Sequence, residues 1–533
     1  MVDTVNRSTM NRFSVFVLFY MTAVVLEMSK DWEDPAYALF FLLLAVGTAL
    51  TGITCVKFLV FLVLTTGYFL IVHFPEVANH VNLIIYCNTV MILAMAYSFV
   101  RRRGSVADGE YFEMICPMLR VSLIMVYFLA GFHKLNRDYF NPEVSCATGM
   151  LSNVVSMMRS SILGVPVIVM LAAVGLLFVY RIIGGTRFGT PGSPAYTLLV
   201  VLCVGGVLCG VLILLLEADF GTPAALILSI SLATGVLVIL WELIGSLLLA
   251  VPRFQVVIVP FSLIMHCVLA MVGFVDFGAL AFSLLFTFVP PSYYQVLNRH
   301  ANLRFSGFVV HRAHVYFSIN IMGAVLSGID VHIHDFLNRG LIAGILFNSA
   351  VLICIWPILS TVFSPLPIWG GVPVLNRRMP MFLYVFPVLL FLFGMTSYLG
   401  LRTAGNFSMF SNLQTEGNGS NHLVFKDNPL KVWDYQEDVV RIIEIDDNHG
   451  EIIHHYDRSP RGHELPVVEF RKWIYEWTQA GLEVPLTFEY RGRIYSTKDI
   501  VKEPVWRTYE RSWEMVLMDF RVIQPTEPNQ CRW

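Results

Sequence analysis

The sequence predicts an all-α polytopic membrane helical bundle carrying a small C-terminal α+β extramembrane domain. Three observations carry that expectation. Of 533 residues, 56% are hydrophobic and only 14% are charged, a balance outside that of soluble globular domains. Apolar segments able to cover much of a bilayer's hydrocarbon core recur about 13 times before residue 400. After Leu401 the composition turns polar, and short alternating or amphipathic stretches replace the apolar runs. The expected division is a membrane domain over 1–400, a polar linker over 401–422 and a soluble α+β domain over 423–533.

The first apolar segment, Phe13 to Leu26, follows Arg7 and Arg12, and acidic residues rather than a small-residue cleavage site come next. It reads as an uncleaved first span. Further apolar segments cover 36–56, 58–73, 83–100, 114–132, 162–180, 195–216, 222–250, 255–273, 277–289, 313–329, 340–363 and 381–399. If each crosses once from a cytoplasmic N-terminus, Lys57, Arg101 to Arg103, Arg181, Arg187, Arg253, Arg299, Arg304, Arg312, Arg377 and Arg378 share the inner side. Glu27 to Asp34, Glu76, Glu217, Asp219 and Asp276 then face outward, as the positive-inside rule expects. The expected location is the plasma or inner membrane, or the endoplasmic reticulum in a eukaryote, with the C-terminal domain extracytoplasmic.

In the tail, SNLQTEGNGSNH (411–422) has the composition of a linker. VVRIIEI and GEIIHHY flank Asp446 to His449 like a hairpin, VVEFRKWIYEWTQA has helical periodicity ending at Gly481, and LTFEYRGRIYST predicts a second hairpin around Arg491 to Arg493. SWEMVLMDFRVI reads as a closing strand. Asn406-Phe-Ser and Asn418-Gly-Ser fit the glycosylation pattern.

A net charge of −2 gives no reason to expect nucleic acid, and no CxxC, P-loop or nucleophile elbow occurs. Most of the nine cysteines lie in apolar runs, where they act as small hydrophobic residues and say little about redox compartment. His332 and His334 have a spacing that is common by chance. His449, His454, His455 and His463 lack the pattern of a structural zinc site and read as surface residues. No metal is expected.

The chemistry concentrates in LRVSLIMVYFLAGFHKLNRDYF (119–140), where an apolar helix runs into His133, Lys134, Asn136 and Asp138. Tyr127, Ala130, Gly131, Lys134 and Asp138 share a helical face, and the two small residues let another helix or a flat ligand approach. Lys134 has two readings: a lysine snorkelling at a membrane boundary, or a buried base, since burial favours the neutral amine that accepts protons. Asn79 and His80 read as a helix-capping pair or a polar clamp on a ligand. Glu242 and His266 lie deep in apolar segments, as interhelical hydrogen-bonding groups or as a partner for a base and a ligand contact. Asp276 falls at an interface.

The run YFLAGFHKLNRDYF (127–140) resembles the motif around the catalytic lysine of vitamin K-dependent gamma-carboxylase and, more closely, of bacterial proteins sharing its HTTM membrane domain. Asn79-His80 in FPEVANHVNLIIY, WELIGSLLLAVPRF (241–254), His266 in LIMHCVLAMVGF, and FVPPSYY (288–294) follow in the family's order, so the resemblance covers about 75–300. It implies that Lys134 deprotonates a reduced quinone, a vitamin K hydroquinone-like cofactor, with O2 and CO2 as co-substrates in epoxidation and carboxylation, a carbon–carbon lyase reaction. It implies further that Asn79 and His80 hold the head group, with His133, Glu242 and His266 around it. The expected partners are the bilayer, a membrane quinol and an extracytoplasmic protein or peptide substrate. The sequence departs from the family in placing His133 where a lysine precedes the base, and in its short tail. The alternative is a non-catalytic transporter or receptor-like protein that binds a partner through its C-terminal domain.

Overall fold

A helix apolar on every side belongs in an interior, and α1 (Arg12–Met28) occupies one: from Val15 to Met28 every side chain is buried. The computed structural model describes residues 10–29, 35–104, 106–160, 224–305, 308–330, 339–360, 371–375, 379–417, 419–426, 430–445, 462–506, 510–524 and 528–531. Around α1 stand α2 (Pro35–Leu50), α3 (Cys55–Tyr68), α4 (Asn79–Arg101) and α5 (Asp108–His133), followed by α6 (Cys146–Ser160). After residue 223 come α7 (Ala224–Ile239), α8 (Pro252–Met271), α9 (Val275–Phe286), α10 (Pro291–Arg299), a hairpin of β1 (Asn302–Phe305) and β2 (Phe308–His311), α11 (Arg312–Asp330), α12 (Arg339–Ser360) and α13 (Val385–Gly394). The axis of α7 continues through a π-helical stretch, Leu240–Gly245, into Ser246–Leu249.

The fold is mostly helical with a few small sheets. Among the described residues five helices are long and apolar enough to cross a membrane: Cys55–His73, Asn79–Arg101, Asp108–His133, Ser231–Leu249 and Pro252–Met271. The expected segment 277–289 becomes α9, whose 12 residues reach about 18 Å at the helical rise, short of the hydrocarbon thickness. Segments 162–180 and 195–216 lie outside the described residues. Polar bonds stitch the interior: the Tyr20 hydroxyl donates to Asn88 at 2.7 Å, and Asn88 donates to Thr65 at 3.2 Å. By contrast Leu43, Val60, Val63, Ile71 and Val388 point outward.

The C-terminal module has a four-stranded antiparallel sheet in the order β4 (Glu464–Pro466), β3 (Val439–Ile445), β5 (Leu486–Tyr490), β6 (Arg493–Thr497), with α14 (Val467–Ala480) against it. The hairpin expected around Arg491 is present, with Tyr490 opposite Arg493. Arg491 and Gly492 both take positive φ, 49° and 72°, the backbone a two-residue hairpin needs. Gly481 ends α14 in the left-handed conformation, as its position predicts. The first part of the expected closing strand is instead a short helix, α15 (Trp513–Leu517), capped by the Ser512 side chain, which accepts from the Met515 amide, while its end closes on the sheet through an antiparallel bridge between Ile523 and Glu464 of β4. GEIIHHY, His449, His454, His455, His332, His334 and Asn418 lie outside the described residues; His463 is half-buried.

The stretch 401–422 is not a linker. Thr403, Asn406, Ser408, Ser411, Thr415, Glu416, Asn421 and His422 are all buried, because their side chains supply the bonds that an irregular buried backbone requires. Asn421 donates to Asp138 at 2.8 Å and accepts from the Gln414 amide, and Asn412 spans the Val144 carbonyl and the Cys146 amide. Asn406, fully buried and donating to Ser397, is closed to glycosylation. A disulfide joins Cys146 to Cys531 across 385 residues, so these two cysteines are not simple apolar fillers.

Candidate functional site

Lys134 caps the C-terminal end of α5 and is 3% exposed. Its Nζ lies 2.7 Å from Oε2 and 3.0 Å from Oε1 of Glu242, and donates to the carbonyls of Met409 and Ala130 at 3.3 and 3.4 Å. The ammonium therefore ends inside protein rather than at an exposed boundary. Two local features make the pair. The π-helical stretch widens α7 at Glu242, the kind of irregularity that redirects a side chain. Gly131 lets it approach: a Cβ there would stand 2.8 Å from the Leu243 amide nitrogen and 2.9 Å from the Glu242 Cβ.

One turn away, the Tyr127 hydroxyl and His266 Nε2 are 2.6 Å apart, with their rings stacked at 5.8 Å between centroids. Trp241, next to Glu242, lies 5.1 Å from the Tyr127 ring and donates to Ser262 at 2.9 Å. Nδ1 of His266 is buried with no hydrogen-bond partner among the described residues. The Phe277 ring bridges onward, 4.9 Å from His266 and 6.0 Å from His80.

His80 and Asn79 open α4 without capping it; the N-cap is Ala78. Asn79 Oδ1 accepts from the Phe407 amide at 2.5 Å. His80 Nε2 lies 2.7 Å from Glu27 and 2.5 Å from Asp276. His133 turns to the tail, with Nδ1 2.9 Å from the Tyr398 hydroxyl. Asn136 donates to the carbonyls of His133 and Ser411, while Asp138 accepts from Asn421 and Asn529. The structure thus brings Lys134, Glu242 and His266 to one interhelical region, puts His80 one ring further along, and commits Asn79 and His133 to bonds with the 398–407 segment.

Sequence reasoning missed the partners supplied by the tail and the grouping of Glu27 with Asp276. The available signal was that both carboxylates interrupt apolar stretches at helix ends. The docking of the tail was invisible as well: Lys472 lies 2.8 Å from Glu469, 3.1 Å from Glu76 and 3.4 Å from Asp519, and Arg402 lies 3.3 Å from Asp519. Outside the long helices, burial lowers His422, whose Nε2 lies 3.0 Å from the Phe132 carbonyl. At the opposite end of the bundle an apolar cavity of about 100 Å³ lies among α1, α8, α9, α11 and α12. None of Asn79, His80, His133, Lys134, Glu242 and His266 lines it, whereas Val289 and Tyr294 of FVPPSYY and Arg312 do.

Searches against protein-family models, curated proteins and solved structures find no match for this chain. The resemblance drawn from the motifs therefore stands on those residues alone.

Proposed function

We propose that this chain is a polytopic membrane enzyme in which Lys134, partnered by Glu242, removes a proton from a lipophilic hydroxyl such as that of a reduced quinone. The outward apolar faces of α2, α3, α7 and α13 support the membrane reading, since lipid tails accept such side chains. The observation that carries the chemistry is the buried Lys134–Glu242 pair beside an aromatic group containing an orphaned imidazole nitrogen. Passing a proton from Nζ to Glu242 leaves both groups neutral and the amine ready to accept another. His266 Nδ1 fits a ligand hydroxyl, because a buried ring nitrogen without a partner is what such a contact would satisfy, and the rings of Tyr127 and Trp241 suit a flat head group. Asn79 Oδ1 and His80 Nε2 are engaged within the protein, so orienting the head group falls to His266.

By the resemblance, a reduced quinone would supply the chemistry with O2 that precedes CO2 addition; the residues' own part is to move the proton and exclude water. On this reading the C-terminal module would receive a protein or peptide substrate. The second reading, a non-catalytic transporter or receptor-like protein, draws on one observation: the four acceptors around Nζ already satisfy an ammonium, as a structural pin would. Purified full-length protein incubated with reduced quinones and oxygen separates the two. Epoxide detected by mass spectrometry, and lost in Lys134→Arg, supports the enzyme; no quinol consumption by a folded protein overturns it.

A further inference from the structure

We propose that Glu27, His80 and Asp276 form a binding site for one divalent transition-metal ion of the manganese, iron(II) or zinc class, held by one imidazole nitrogen and two carboxylates. The three residues come from the last turn of α1 and the first turns of α4 and α9, so only the packed bundle assembles them. Their candidate ligand atoms all lie within 4.8 Å of one another, and the residues are 9%, 8% and 2% exposed.

Hydrogen bonding alone accounts poorly for this geometry. A ring nitrogen carries at most one proton and donates one well-aligned bond, yet two carboxylate oxygens stand 2.7 and 2.5 Å from the same Nε2. Charge points the same way. With the imidazole neutral and able to offer its lone pair, the two carboxylates carry a charge of −2, which a divalent ion matches. A divalent ion with a neutral imidazole brings the trio to zero.

The donors select the class. An imidazole disfavours calcium and magnesium, which prefer oxygen ligands, and the trio has no thiolate to favour copper(I). Three protein ligands leave a coordination position open, the arrangement of reactive rather than purely structural sites. Phe277 packs against both His80 and His266, which connects the trio to the aromatic group. The inference does not rest on quinol chemistry; it stands if Lys134 proves to be a structural pin.

The test uses the full chain, stripped with chelator in detergent and reloaded separately with manganese and zinc. Elemental analysis should find about one ion per chain, bound at least ~10-fold more weakly in Glu27→Gln and Asp276→Asn, since ligand loss exceeds the usual cost of losing a supporting contact. Pulsed electron paramagnetic resonance on the manganese-loaded protein should show coupling to a single imidazole nitrogen, absent in His80→Gln. This second measurement decides the matter on the wild-type protein if the variants do not fold. No stoichiometric ion, an ion without nitrogen coupling, or equal retention by folded Asp276→Asn would each overturn the proposal.

Discussion

Lys134 and Lys472 are both buried, 3% and 1% exposed, yet they keep different company. Lys134 faces one carboxylate and two backbone carbonyls inside the helical bundle. Lys472 faces three carboxylates where the C-terminal module docks on the bundle. The ratio of carboxylates to cations decides which group yields a proton. In a one-to-one pair the proton can pass from nitrogen to oxygen without changing the net charge. In the larger cluster the ammonium is over-compensated, and Lys472 is raised above the ordinary lysine value, against its burial, by Glu469 and Asp519. The strain falls instead on the acids: burial first, then Asp519, leave Glu469 pushed up to about 7, and burial with Glu76 takes Glu476 to about 7. On the proposed function, the one-to-one pair suits proton exchange, whereas the Lys472 cluster holds a joint.

The largest effect is expected at Lys134. Lys134→Arg and Lys134→Ala should insert and fold but lower quinol deprotonation by about 10²–10⁴-fold, the usual share of a general base. Small amines should partly rescue the alanine variant, where space opens, and leave the arginine variant inactive. Near-normal turnover in Lys134→Arg would make the two lysines alike.

Lys472→Met probes the other side. It leaves Glu469, Asp519 and Glu76 without their shared ammonium and should destabilise the docked module by about 3–5 kcal/mol, measured by chemical unfolding. Tail proteolysis should quicken while Lys134 and Glu242 stay in place. A wild-type unfolding midpoint would show that the cluster is not a joint.

Cys531→Ser removes the covalent tie to Cys146, and a lost disulfide costs about 2–4 kcal/mol. The tail should release from the 136–146 segment, seen as faster amide exchange at Asn136 and Asp138. Unchanged exchange there would assign docking to the Lys472 cluster alone.

The smallest effect is the pH response. Glu469 is raised from an ordinary 4.5 to about 7, so its neutral form suits the fold: its contribution is full below about 4.5 and is lost as pH rises through about 7. Thermal stability of the module should decline across that window, and Glu469→Gln should flatten the decline. A flat wild-type profile would mean that the acids are ionised throughout.

Much of the architecture was legible in the residues. Unbroken apolar periodicity marks α3, α4, α5, α7 and α8 because such helices need no particular neighbour to be recognised, and the turn chemistry of Arg491-Gly492 and Gly481 acts within a few residues. The pairing of Lys134 with Glu242 was half legible: an ionisable residue in an apolar run calls for a partner, and Gly131 announces a close approach. What the letters could not display was any partner far away in the chain. Residues 401–422 have the composition of a linker, since serine, asparagine and glycine serve solvated loops and buried irregular backbone equally well; only packing against 75–82 and 132–146 decided between them. Cys146 and Cys531 meet across 385 residues, and neither local sequence names the other. Glu27, His80 and Asp276 each look like isolated charges at helix ends, and the crossing of three helices turns them into one site. Local propensity and hydropathy act over a few residues and are written in the sequence, whereas charge balance in a low-dielectric interior is a property of whatever the completed fold brings together.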